Sequence, residues 1–431
     1  MVNSLPIYDL TSIALPRTTW TGLLHLYVGI HCCIVQNNFS KRIMNKVEIK
    51  SLTGVRGLAA LFVVFHHWHY FLLNNSILSP SSKHYLTILF NHGNWSVDLF
   101  FILSGFLLSI TSYNEFNDNI DKTNYFNFII KRFCRVYPIY IALAFCYFIA
   151  ELLFTKHNTD ILTIAVNLTL FQSLFDIKNI NPLAWSLSIE WAVYFLLPIM
   201  FVLFNKINSK YARVFTLYIL SISIILFITK SLTNPYYRNH KFLLDNIFLL
   251  NQNYVSIITT GYYPVLRGLA SYLLGIATFS LLDSGRLKLV PNSLFYLLTL
   301  IQIALLFSTS LLANTVFILL IPFMLIGLTR DHSLLSKLFS TKPIYFLGEI
   351  SFSLYLLHFV FVMSISPRIE KFLMQRHVPH YKYILFFSLL SIVVALSSLL
   401  YYYLEKPLNV WFRKRLLLKQ PQNKLILQHS L

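Results

Sequence analysis

Apolar runs of about 17 to 25 residues recur along the chain, the length a helix rising about 1.5 Å per residue needs to cross the hydrocarbon core. They fall at 55–75, 93–113, 136–155, 185–204, 212–229, 264–282, 292–309, 311–328, 343–366 and 382–403. The pattern predicts an all-α polytopic membrane protein of about ten transmembrane helices in one bundle. The boundary at 309–311 is the least distinct, with Asn314 and Pro322 marking a tight hairpin or a broken helix. The apolar run 161–175 is too short to span and reads as a re-entrant or interfacial helix. Residues 1–43 read as an N-terminal extension without an assigned function, either dispensable or a product of start-codon choice. A membrane domain is expected over 44–412 and a basic cytoplasmic tail over 413–431.

Composition agrees with the pattern: 56% of the residues are hydrophobic and only 12% charged, about half the charge of a soluble domain. No linker or low-complexity run divides the chain. The formal charge of +19 would raise nucleic-acid binding in a soluble protein, but here the basic residues are scattered between apolar runs. Assigned alternately to the two sides, 23 lie on one face and 10 on the other. The positive-inside rule then puts both termini in the cytoplasm and leaves no call for a nucleic-acid partner. Four cysteines, with Cys32 and Cys33 adjacent, make no disulfide framework. There is no CxxC or HExxH spacing, so no metal site is expected.

Ionisable groups inside apolar runs cost several kcal/mol each and need a partner or a polar cavity. Arg56, His66, His67, His69, Asp98, Glu190, Arg267 and His358 are of this kind. Arg56 and His67 are eleven residues apart, which returns to within about 20° of one direction, roughly 16 Å further along the axis. The same helical phase puts Ser351, Tyr355 and His358 on one face, and Ser186, Glu190 and Tyr194 on another. Arg132 and Arg135 stand one turn apart just before the third run, at the cytoplasmic edge. Two guanidiniums on one face suit phosphate, although from spacing alone a plain positive-inside anchor is the favoured reading. Gly105 reads as a packing residue and Pro138 as a helix start.

These segments together resemble the acyltransferase-3 family of bacterial membrane O-acyltransferases. The resemblance lies in Ser51–Ala60 with Val63–His67, in Val97–Leu107 around Asp98 and Gly105, and in the Arg132/Arg135 pair. It continues through Trp185–Glu190 with Tyr194, Arg267 through Gly275, Gly348–His358 and Glu405–Pro407, in order over about 44–412. Thr53 stands where the family usually has Asp, and the histidine eleven residues after the arginine selects His67 over His66.

The resemblance implies an acyl-CoA donor, usually acetyl-CoA, used from the cytoplasm, with no bound cofactor, and a glycan acceptor at the inner membrane of a bacterium. Residue by residue, it makes His67 the base or the acyl carrier and places Arg56, Arg132 and Arg135 at the CoA phosphates. Glu190, a catalytic candidate, and Arg267 either pair, orient the acceptor or hold the histidine tautomer. Tyr355 and His358 are further substrate-pocket candidates. The competing class, a transporter or flippase of lipid-linked glycans, predicts inverted repeats, and the two halves share no motif order.

Overall fold

The computed structural model describes residues 49–73, 80–116, 119–154, 159–233, 261–285, 287, 290–308, 310–330 and 333–417. All regular structure among them is helical. In chain order the helices are α1 (Lys50–Leu73), α2 (Pro80–Asn91), α3 (Trp95–Ser112), α4 (Lys122–Phe154), α5 (Ile161–Leu168), α6 (Ala184–Asn205), α7 (Lys210–Thr233) and α8 (Tyr262–Asp283). There follow α9 (Asn292–Leu305), α10 (Leu311–Thr329), α11 (Leu334–Phe339), α12 (Lys342–Glu349), α13 (Ser351–Val360), α14 (Ser366–Gln375), α15 (Tyr381–Leu400) and α16 (Lys406–Leu416). The expected extension 1–43 and most of the expected tail lie outside the described residues.

Seven stretches are long and apolar enough to cross a membrane: Lys83–Ser112, Lys122–Leu153, Ala184–Asn205, Lys210–Ser231, Tyr262–Asp283, Leu312–Thr329 and Tyr381–Leu416. The pair α12 and α13, bent by 66°, makes an eighth if it is one span. Two of the ten expected spans fall outside this set for different reasons. Helix α1 has the length, 24 residues, but Arg56 and three histidines dilute its apolar run. Helix α9 has 14 residues, about 21 Å, short of the roughly 30 Å core. The segment from 161 folds as the eight-residue α5, too short to cross. Its start is capped by Asp160, whose side chain accepts from the Thr163 amide at 3.4 Å; hydrogen bonding from Thr163 holds that carboxyl below its ordinary range.

Helix α8 packs against α3, α6, α7 and α10, while α1 packs against α3, α11, α12, α13 and α15. The closest approaches use glycine, since helices in lipid associate by backbone proximity rather than by burying apolar area from water. A Cβ on Gly105 would lie 2.8 Å from the Tyr272 carbonyl oxygen, and one on Gly275 would strike the Ile102 carbonyl. Gly57 meets the backbone of Gly348 in the same way. Gly105 is thus a packing residue, as its sequence context implied. Pro138 is not a helix start: it lies inside the 33-residue α4. Helices α7 and α15 expose Phe215, Phe227, Phe387 and Leu399, as lipid-facing helices do.

Two wide, π-type turns interrupt the last helices, at Phe361–Ile365 and Tyr401–Glu405. Each ends two residues before a proline, Pro367 and Pro407. Proline lacks the amide that would continue the ladder and its ring crowds the carbonyl four residues back, so the turn widens. The break between α12 and α13 exposes the Gly348 carbonyl, which accepts from the Ser351 hydroxyl at 2.8 Å.

Candidate active site

The break in α12–α13 and the polar face of α1 bring two histidines together. His358, fully buried on α13, sets its Nδ1 at 3.0 Å from the Leu354 carbonyl oxygen and its Nε2 at 3.1 Å from His67 Nδ1. His67 Nδ1 also lies 2.9 Å from the Val63 carbonyl oxygen. A carbonyl oxygen only accepts, so His358 Nδ1 carries the proton and its Nε2 offers a lone pair. Both neighbours of His67 Nδ1 are then acceptors. That nitrogen donates, and the basic lone pair of His67 falls on Nε2. The Phe359 ring packs edge-on to His67 at 4.9 Å between centroids. His66 donates from Nδ1 to the Phe90 carbonyl at 2.8 Å and lies 4.9 Å from His67, centroid to centroid. The His69 side chain lies outside the described ones.

Arg56, on the same helix, donates from Nη2 to the Gly348 carbonyl at 3.1 Å. It thereby places a cation at the C-terminal end of α12, where unsatisfied carbonyls and the helix dipole favour one. The helix that carries Arg132 and Arg135 does not begin at 136. Helix α4 is continuous from Lys122, and Arg132 sits about 15 Å along it, buried, with its guanidinium over the Phe128 ring at 5.0 Å. An apolar-run count misses this because Lys122, Asn124, Asn127 and Lys131 interrupt the apolar residues of the first turns of the same helix.

Glu190 and Arg267 do not pair with each other. Arg267 forms a bidentate ion pair with Asp98, Nε to Oδ1 at 2.8 Å and Nη2 to Oδ2 at 2.5 Å, and also donates to the Asn94 carbonyl at 3.3 Å. Ser271 adds a donor to Asp98 at 3.4 Å. Glu190 Oε1 accepts from Ser104 at 2.9 Å, from Tyr272 at 3.3 Å and from Tyr194. Three hydroxyls from three helices thus converge on one oxygen of Glu190. Nor does Glu190 hold the histidine tautomer, which Val63 and His358 set. Glu190 thus bonds neither Arg267 nor the histidine pair.

Tyr355 joins the two predicted polar faces: its hydroxyl is 2.9 Å from Ser186 Oγ and donates to the Leu183 carbonyl at 3.4 Å. Its ring lies 6.3 Å from His358. Sequence reasoning placed each of these faces but not Ser104 and Tyr272 as partners of Glu190. The Leu103-Ser104-Gly105 step, a hydroxyl beside a packing glycine, was the available signal for Ser104; Tyr272 offered none.

These features define a multi-pass helical membrane protein with an imidazole pair inside the bundle, His358 buried and His67 half-buried, and fixed carboxylate and arginine groups around it. The chain belongs to the acyltransferase family whose model, described as "Acyltransferase domain", matches residues 49–403. It is 25% identical over 403 residues to a Staphylococcus aureus (strain COL) protein named "Putative O-acetyltransferase", a match covering 85% of this chain and 57% of that one. The chain therefore spans little more than half the length of that relative. A protein of Acidianus two-tailed virus named "Putative acetyltransferase" is 27% identical over 323 residues, 73% of this chain and 84% of its own. No solved structure matches the chain.

Proposed function

We propose that the protein is a membrane O-acyltransferase that moves an acyl group, acetyl in the first place, from acyl-CoA on the cytoplasmic side to a hydroxyl of a cell-surface glycan. Lipopolysaccharide O-antigen and exopolysaccharide are the acceptor types meant, and the bacterial inner membrane the location. The observation that carries this reading is the His67–His358 hydrogen bond, which leaves His67 Nε2 as a base among apolar helices. A half-buried imidazole of fixed tautomer inside an apolar bundle is costly for packing alone and suited to proton transfer.

In the proposed reaction His67 Nε2 takes the proton of the acceptor hydroxyl as its oxygen attacks the thioester carbonyl. The C–O bond forms, the C–S bond breaks, and the CoA thiolate leaves with the proton from the imidazolium. His358 accepts from His67 Nδ1 throughout and holds the ring. Arg132 and Arg135 serve the CoA phosphates. Arg56, at the α12 terminus, stands at the head of the His67 face and shares with Arg135 the reach of Glu405, Glu190 orients the acceptor, and Tyr355 with Arg267 shapes the pocket wall.

The test is the His67→Ala protein in a strain lacking the native gene, with surface glycan read by mass spectrometry. Loss of the acetyl mass per modified sugar, at normal membrane accumulation, is expected, because a positioned base contributes about 10²- to 10⁴-fold. Full acetylation by His67→Ala would remove the mechanism.

A further inference from the structure

Helix α16 begins past the residues that the family model matches and lies along α4, where the Phe412 ring meets Phe133 edge-on at 6.5 Å between centroids. Those two rings sit next in sequence to Arg413 and Arg132. The contact therefore brings Arg413 to the arginine-bearing stretch of α4, and the charges of Arg132, Arg135 and Arg413 act on one another. No carboxylate is ion-paired with any of the three among the described residues. Glu405 lies in electrostatic reach of Arg135, but its Oε2 accepts from Ser353 at 2.6 Å. Arg132 is 9% exposed, and the Nε–H groups of both Arg132 and Arg413 are buried without an acceptor.

Like charges gathered in a partly desolvated place, with unfilled donors, are unfavourable until an anion arrives. Guanidiniums are the groups that bind phosphate through paired N–H donors. Resting on the acyl-CoA reading above, we infer that Arg413 completes a three-arginine site with Arg132 and Arg135 for the phosphate groups of the donor. The end of α16 from Arg413, where the sequence predicts that a basic cytoplasmic tail begins, is then part of the binding site. Arg415, two residues on, is exposed and stacks on Trp411 at 4.7 Å, which makes it a control of equal charge.

The experiment is titration of CoA into the full chain in nanodiscs of phosphatidylcholine alone, for the wild type, Arg413→Gln and Arg415→Gln, with thermal unfolding of each. Arg413→Gln is expected to bind CoA about tenfold more weakly at unchanged unfolding temperature, with Arg415→Gln matching the wild type. Wild-type affinity in Arg413→Gln, or equal loss in both variants, overturns the inference. If Arg413→Gln does not fold, Arg413→Lys decides. It keeps the charge and loses the fork, so about fivefold weaker binding supports the site and wild-type affinity overturns it.

A second set of discs with added phosphatidylglycerol separates the two sources of phosphate. Competition by that lipid, abolished in Arg413→Gln while CoA affinity in phosphatidylcholine is unchanged, assigns the arginines to lipid headgroups and overturns the donor site. A wild type that binds no CoA at all overturns the acyl-CoA reading and this inference together. A wild type that binds while Arg413→Gln binds equally well overturns this inference alone.

Discussion

His67 and His358 act through one nitrogen, so their variants should not add. Removing His358 leaves His67 Nδ1 still bonded to the Val63 carbonyl and costs one neutral hydrogen bond, about 1 kcal/mol. His358→Ala is therefore expected to slow acyl transfer about fivefold at unchanged donor KM, and His67→Ala/His358→Ala to be no slower than His67→Ala. Initial rates on a defined acceptor decide it, and a multiplicative double variant would show that His358 works elsewhere. Asp98 and Arg267 form a different kind of pair, with the carboxylate fully buried. Asp98→Ala strands a guanidinium and is expected to destabilise by about 3 to 5 kcal/mol, whereas Asp98→Leu/Arg267→Met should recover most of that. Unfolding temperature in detergent reads both, and a double variant as unstable as the single would mean that the ion pair is itself stabilising.

At the scale of helices, the sequence carried phase well and partnership poorly. Ser186, Glu190 and Tyr194 share a face as expected, and so do Ser351, Tyr355 and His358; the Ser186–Tyr355 hydrogen bond joins them. A periodicity of 3.6 residues fixes which side chains share a face, but not which helix lies opposite or at what depth. That is why the sequence left a Glu190–Arg267 pair open as one of three roles, whereas Arg267 pairs with Asp98, 169 residues away. The break at Ile350 was hidden for a related reason: 343–366 reads as one apolar run, and its bend depends on the tight contact of Gly348 with Thr53 and Gly57 of α1. That contact is backbone against backbone, so neither side can give way. Gly348→Val is expected to separate α1 from α12, move His67 from His358, and lower both unfolding temperature and activity, while Gly327→Ala, whose Cβ would meet side-chain rather than backbone atoms, Phe295 Cβ at 3.1 Å and Leu335 at 3.5 Å, should cost less. Equal tolerance at both glycines would mean that α1 and α12 do not depend on this approach.

For the whole molecule, the open quantity is orientation, and the chemistry makes it testable. Arg56 and the Arg132–Arg135 pair lie toward the starts of α1 and α4, while Arg413 lies toward the end of α16. If α1 and α4 run outward and α16 inward, all four approach the side that carries 23 of the basic residues, and that side is cytoplasmic by the positive-inside rule. The proposed acyl-CoA donor would be met on the cytoplasmic side, so charge bias and the proposed chemistry point in the same direction from independent premises. His67, about 16 Å further along α1 than Arg56, then lies deep enough for an acceptor arriving from the opposite face to meet a thioester threaded from within. A tag placed after residue 431 should accordingly be shielded from antibody in intact cells and exposed once the membrane is permeabilised, and a cysteine replacing Lys178 should react with an impermeant thiol reagent from outside. Labelling in the reverse sense would put the arginines on the face without donor and separate the family's chemistry from an acyl-CoA source, whatever the His67 variants show.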